Sequence, residues 1–323
     1  MFPRNVCTVP LALFLFLSIT GCTVLTRSQF TEVGKFAAAA KGYGDLPGAV
    51  ISRHAEIRRD RQVLRVVTFR NGTTALAGIE GALKTEAKLK EKGRQADQAL
   101  EVLSDYAELL SLLTAERYST ELQTSAEALG QKIDSGIRQY NKTWNRSVGA
   151  AGSTVAALVR GGGGFYLRAR QARSLRKVVV AADPMVASLT GTVQEIMAFY
   201  LDETQLAQLR GCPAAGGKLV PGGVLAQEKR DVALFYRGVA GQYQGRQPPE
   251  LPLKVAEVMD ASDTAGELAA RALQAACTFR QAHAELVGSV TAKKDLAGAL
   301  EEVNSLAAEV TSAQALKKKL DRK

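Results

Sequence analysis

Histidines, cysteines and clustered charges are the side chains from which this chain could build chemistry, and the first two are scarce: 2 histidines and 4 cysteines in 323 residues. A hydrolase needs a nucleophile with a base, or a metal with about three ligands. His54 stands in His54-Ala55-Glu56 and His283 in His283-Ala284-Glu285. Neither matches a paired-histidine metal helix and neither is flanked by a cysteine, so both read as surface or edge residues. Carboxylates are plentiful but scattered, and no glycosidase-type pair stands out. Gly161 to Gly164 lacks the Lys-Ser or Lys-Thr pair that follows in a phosphate loop. The expectation is a protein that is not an enzyme and uses no metal or cofactor.

Charge says more. The chain carries 42 Lys and Arg against 32 Asp and Glu, a formal +10. The densest interior run is Arg168, Arg170, Arg173, Arg176 and Lys177. At helical spacing these spread around much of the circumference, which argues against a specific groove, yet they would draw anionic lipid at about 1 kcal/mol per cation near a charged surface. His54, Arg58, Arg59 and Arg61 form a second cluster, read as a solvated helix face.

The compartment comes from the N-terminus. A lone Arg4 precedes an apolar run from Val9 to Leu17, and then come Ile19-Thr20-Gly21-Cys22. The run is shorter than the roughly 20 residues of a membrane span and falls in the class of a secretory leader. Small residues directly before a cysteine make the leader resemble the lipobox signal peptides of bacterial lipoproteins. The resemblance covers only the first 22 residues. It implies cleavage before Cys22, lipid on the Cys22 thiol and acylation of the new amine. Thr23, in place of the Asp that retains such proteins at the inner membrane in many Gram-negative cells, resembles the outer-membrane default. In that setting nucleic acid is the wrong partner, whereas lipid head groups, anionic envelope polymers and envelope proteins fit the basic balance.

With Cys7 in the leader and Cys22 lipidated, Cys212 and Cys277 remain. They read either as a disulfide, worth roughly 4 kcal/mol in the chain-entropy model, or as two separate buried thiols. A mass comparison before and after reduction separates the two.

The elements that must position these groups are all helical. Residues 22–45 read as a lipidated tether with a first helix from Ser28 to Ala40, stopped by Gly42-Tyr43-Gly44. Residues 46–210 read as an N-terminal helical bundle. Within it, one helix ends near Lys92. Ala96, Ala99, Leu103, Tyr106, Leu110 and Leu113 step by three and four, and so do Leu122, Ala126, Leu129, Ile133, Ile137, Tyr140 and Trp144. These seams predict antiparallel, coiled-coil-like neighbours with Tyr106, Tyr140 and Trp144 as core or core-edge residues. Asp183-Pro184 reads as a helix start, and residues 211–223 as a Gly/Pro-rich linker. Residues 224–323 read as further helices packed on the same bundle, with Thr264 and Glu267 as a capping box that opens one of them. Nothing alternates like a strand, so the fold class is all-α: an elongated multi-helix bundle that can serve as a monomer or an oligomer.

The function this supports is a lipid-anchored, periplasm-facing scaffold or adaptor. The alternative is a membrane-active protein that inserts the apolar, glycine-broken stretch Val148 to Leu167, as helical pore-forming toxins do with apolar hairpins. The terminal Arg322-Lys323 is similar to the end of the murein lipoprotein, which is joined to peptidoglycan; cations offsetting a helix dipole are the simpler account.

Overall fold

The computed structural model describes residues 25–66, 68–69, 71–115, 120–149, 167–202, 222–243, 248, 250–291 and 296–321. Within them lie α1 (Arg27–Ala40), α2 (Leu46–Val66), α3 (Gly72–Thr114), α4 (Thr120–Trp144), α5 (Leu167–Ala198), α6 (Gly223–Tyr243), α7 (Glu250–Thr291) and α8 (Leu296–Asp321). No strand occurs among the described residues, and the fold is an all-α multi-helix bundle. Local chemistry sets the helix starts. The Thr26 hydroxyl accepts from Gln29 N while the Gln29 side chain accepts from Thr26 N at 2.8 Å, a reciprocal cap. Asn71 caps α3 through its side chain, accepting from Thr73 N at 2.8 Å.

Two helices set the length. With 43 residues in α3 and 42 in α7, each runs for roughly 60 Å. Between them lie α1 and α2, end to end and antiparallel to both. On the α3 side, Ser104 bonds Lys41 O, Gly48 N donates to Asp97 and Lys90 pairs with Glu56. On the α7 side, Gln29 reaches Ser289 O, Tyr43 reaches Ala272 O and Asp60 pairs with Lys254. A second broken line, α5 then α6, descends α7 in the same sense, with Arg176 at Thr291, Asp183 at His283 and Lys229 at Asp263. The shorter α4 and α8 flank the half of the bundle where α1 begins: Lys132 pairs with Glu101 and Asp105 of α3, and Arg271 with Glu309 of α8.

The predicted seams are buried where their side chains are described, Leu129 only partly, and the Leu122 side chain lies outside that description. Ala96, Ala99, Leu103, Tyr106, Leu110 and Leu113 face the core of α3, and Ala126, Ile133, Ile137 and Tyr140 that of α4, with Trp144 packed at its edge. The Tyr140 hydroxyl is held by Thr192 at 2.6 Å and Ser188 O at 3.1 Å. Val33, Phe36, Ala37 and Ala40 make α1 part of this core and not a loose tether.

Three sequence expectations are corrected. Asp183-Pro184 does not start a helix, because α5 runs straight through Pro184. The proline lies on an exposed face, and Val180, whose carbonyl it leaves without a donor, is itself 41% exposed, so water can satisfy that oxygen. Thr264 opens no helix either; its hydroxyl donates to Asp260 O inside a continuous α7. Nor does α3 end at Lys92, since it continues through Gly93. The linker at 211–223 lies outside the described residues except for its last two, and Gly223 already opens α6. The helices beyond it pack on the others, α6 and α7 against α2 and α7 and α8 against α1.

Gly93 has a packing reason. A Cβ there would stand 2.9 Å from Ser52 Oγ and 3.1 Å from the Gly48 carbonyl oxygen, where α2 crosses α3 closely. Glycine weakens the helix by about 1 kcal/mol relative to alanine, but a branched side chain must push two backbones apart, typically at 1–3 kcal/mol. Gly93→Val is expected to lower the melting temperature by several degrees with helix content retained, read by circular dichroism.

Candidate functional site

The groups able to do chemistry fall into four places. The first is in the core, and it corrects the expectation of surface histidines. His283 is 0% exposed and Tyr106 1% exposed. His283 Nδ1 lies 3.2 Å from Asp183 Oδ1 and its Nε2 lies 2.9 Å from the Tyr106 hydroxyl. The His283 bond holds the Asp183 carboxyl below its usual range. A neutral ring that donates Nδ1–H to the carboxylate must accept at Nε2 from Tyr106 O–H. Burial pushes the Tyr106 hydroxyl well above its usual pKa, which keeps that proton in place. The order Tyr-His-Asp is that of a relay, yet its Tyr end is only 1% exposed. What it does is join α3, α7 and α5.

The second place, in the other half of the bundle, surrounds His54, which is 7% exposed. Arg61 forms a buried ion pair with Glu228 and bonds Asp231 at 3.0 Å, while His54 stands 3.9 Å from Glu228 and 3.5 Å from the Tyr200 hydroxyl. Burial alone would raise the Glu228 carboxyl; His54 and Arg61 together hold it below its usual range. The cluster read as a solvated face is therefore divided, with His54 and Arg61 inside. The signal was in the spacing: Val50, His54, Ile57, Arg61 and Leu64 step by four and three and form the buried stripe of α2. Ala272, Ala276, Phe279, His283, Leu286 and Val290 do the same on α7.

The third place is an open cleft of about 470 Å³ where α2 begins, between α3 and the end of α8. Asp97 accepts from Gly48 N at 2.9 Å, and Asp45 bonds Gln314 at 3.0 Å and pairs with Lys317. Burial pushes the Asp97 carboxyl up to about 7, with Asp45 adding repulsion, while the Gly48 amide and Lys317 oppose the shift. Neither histidine lines this cleft, and among the described residues no three metal-ligating side chains come together.

The fourth place is the end of the bundle where α1 begins. Leu25 is buried, Thr26 caps α1 and Arg27 is exposed. The basic run opens α5 at the same end. Arg173 and Lys177 are exposed, and half-buried Arg176 donates to Thr291 O at 3.1 Å on the last turn of α7. Arg168 and Arg170 belong to the first turn of α5. Cys22 and Cys212 lie outside the described residues, as does almost all of the stretch 148–167. Cys277 is buried on α7, with Gln194 Nε2 3.1 Å from its sulfur. No described helix is long and apolar enough to cross a membrane.

No protein-family model matches this chain, and neither a curated protein nor a solved structure is similar to it.

Asp97 gives a pH dependence. Its folded carboxyl titrates near 7 and its unfolded one near 4, so the folded state binds the extra proton between those values and stability falls as pH rises through them. Asp97→Asn keeps an acceptor for Gly48 N–H and removes the charge. It should flatten the slope between pH 4 and 7 and stabilise the protein at pH 8 by about 1–2 kcal/mol, the full linkage value of about 4 being reduced by solvent screening in an open cleft. Thermal melts of both proteins across this range check it.

Proposed function

We propose that this chain is a lipid-anchored, periplasm-facing α-helical scaffold or adaptor of the bacterial envelope, non-catalytic and held by Cys22, with the outer membrane as its site. The observation that carries the reading is the join between leader and body. Only Thr23 and Val24 separate Cys22 from Leu25, which is buried, and α1 is capped at once by Thr26. At up to about 3.6 Å per residue, the lipid would sit within roughly 11 Å of the folded bundle. A lipoprotein whose body works at the membrane needs such a short connection. The two buried histidine clusters support a non-catalytic reading, since each ties helices together and leaves its His ring nearly or wholly inaccessible. The length of α3 and α7 gives the molecule reach of the kind an adaptor uses.

Labelling with a radioactive fatty acid, followed by mass analysis of the N-terminal peptide, tests it. Label is expected on the wild-type chain and none on Cys22→Ser, which should also leave the outer-membrane fraction. An acylated, membrane-held Cys22→Ser protein would overturn the anchor.

A further inference from the structure

We infer that the end of the bundle where α1 begins and α5 opens is a docking face for anionic phospholipid head groups. On this reading the anchored body stands end-on, with its basic end against the leaflet that holds its lipid. The orientation rests on the Cys22 anchor; the docking face rests on its own observations. Two elements far apart in sequence meet on one short stretch of α7. Gln29, in the first turn of α1, bonds Ser289 O at 2.7 Å, and Arg176 of α5 bonds Thr291 O at 3.1 Å. The exit toward Cys22 and the basic run of α5 therefore both lie against the last turn of α7.

The helix starts gathered at this end carry more cations than acids. Arg27, Arg173 and Lys177 are exposed, and α5 carries no acid before Asp183. Glu32 of α1 is buried, so it offers no exposed carboxylate here. On the other helices the acids nearest this end are Glu121, the second residue of α4, Glu301 and Glu302 in the second turn of α8, and Glu108 on α3 and Glu285 on α7, each six residues before the last residue of its helix, about 9 Å further along the axis. The last two lie close to a Debye length away at physiological salt, so they offset the patch only in part. Arg173 and Lys177, one turn apart, share a face of α5. A pair of exposed cations suits a plane of phosphates, which needs no register. The opposite end of α3 shows the contrast, with exposed Leu76 and Leu83 beside Lys84 and Lys88 about 45 Å away.

The test uses full-length Cys22→Ser chain, so that no acyl group contributes, with unilamellar vesicles of phosphatidylcholine alone or with one third phosphatidylglycerol. Binding is read by co-sedimentation at several salt concentrations. The expected result is binding that requires phosphatidylglycerol and weakens with salt. Adding Arg173→Gln with Lys177→Gln should reduce it by at least tenfold, near the fivefold per cation of surface attraction. The pair Lys84→Gln with Lys88→Gln, equal in net charge, should change it less than twofold. The leader is common to all three proteins, and circular dichroism confirms that each is folded. Equal loss in both pairs, no loss in the first, or equal binding to neutral vesicles overturns the docking face. Acylation of wild-type Cys22 is scored separately, so a patch that ignores lipid leaves the anchor standing, and an unacylated Cys22 leaves the patch standing.

Discussion

Two helices of roughly 60 Å do not bury their seams mainly on one another here; α3 buries its seam mainly on the column that α1 and α2 make between them, and α7 shares its own among that column, α5, α6 and α8. This is the constraint that the rest of the bundle obeys. A single helix of that length would carry both faces apolar along its whole course. Splitting the column at Lys41 to Asp45 lets two shorter pieces take different angles, and Gly42 and Gly44 let that corner approach Val310 of α8 and the Leu100 carbonyl of α3. Where the column changes helix, Tyr43 fills the corner, fully buried and bonded to Ala272 O.

Polar groups inside this packing act as fasteners at chosen heights. Buried ion pairs are weak evidence of net stability, because desolvation opposes their attraction, but removal of one partner strands the other. Arg61 with Glu228 and His283 between Tyr106 and Asp183 therefore discriminate between registers more than they add to the depth of the native well. Alanine-rich stretches of α7, such as Ala269 to Ala276, slide past a neighbour at little penalty, and a histidine that fits one height does not. The two fasteners sit in different halves of the molecule, one for each half.

Fold class and seams were legible because a period near 3.6 survives any tertiary context. Ala96 to Leu113 and Ala126 to Tyr140 could be placed inside from spacing alone. Helix ends were less legible wherever a signal also has an interior use. Asp183-Pro184 looks like a cap, but the aspartate faces His283 and the proline faces water. Thr264 looks like a cap and bonds backward instead. Gly93 looks like a stop and is a close approach. His54, Arg61 and His283 were misplaced by their chemical type, although their positions on the apolar stripes pointed inward. Burial of a polar group depends on partners 100 to 170 residues away, such as Asp183 for His283 and Glu228 for Arg61, and local sequence does not record those.

The longest-range bonds have a consequence for the order in which the molecule assembles. Gln29 meets Ser289 across 260 residues, and Gly42 meets Gln314 across 272. α1 is made before the other described helices, and its Phe36, with Tyr43 of the turn that follows, can find Phe279 only after nearly the whole chain has been made. Closure of loops that long slows the final step, whereas α1 and α2 have α3 to pack on as soon as it is made. Assembly on this order ends with the seating of α7 and α8 on a three-helix platform that is already in place.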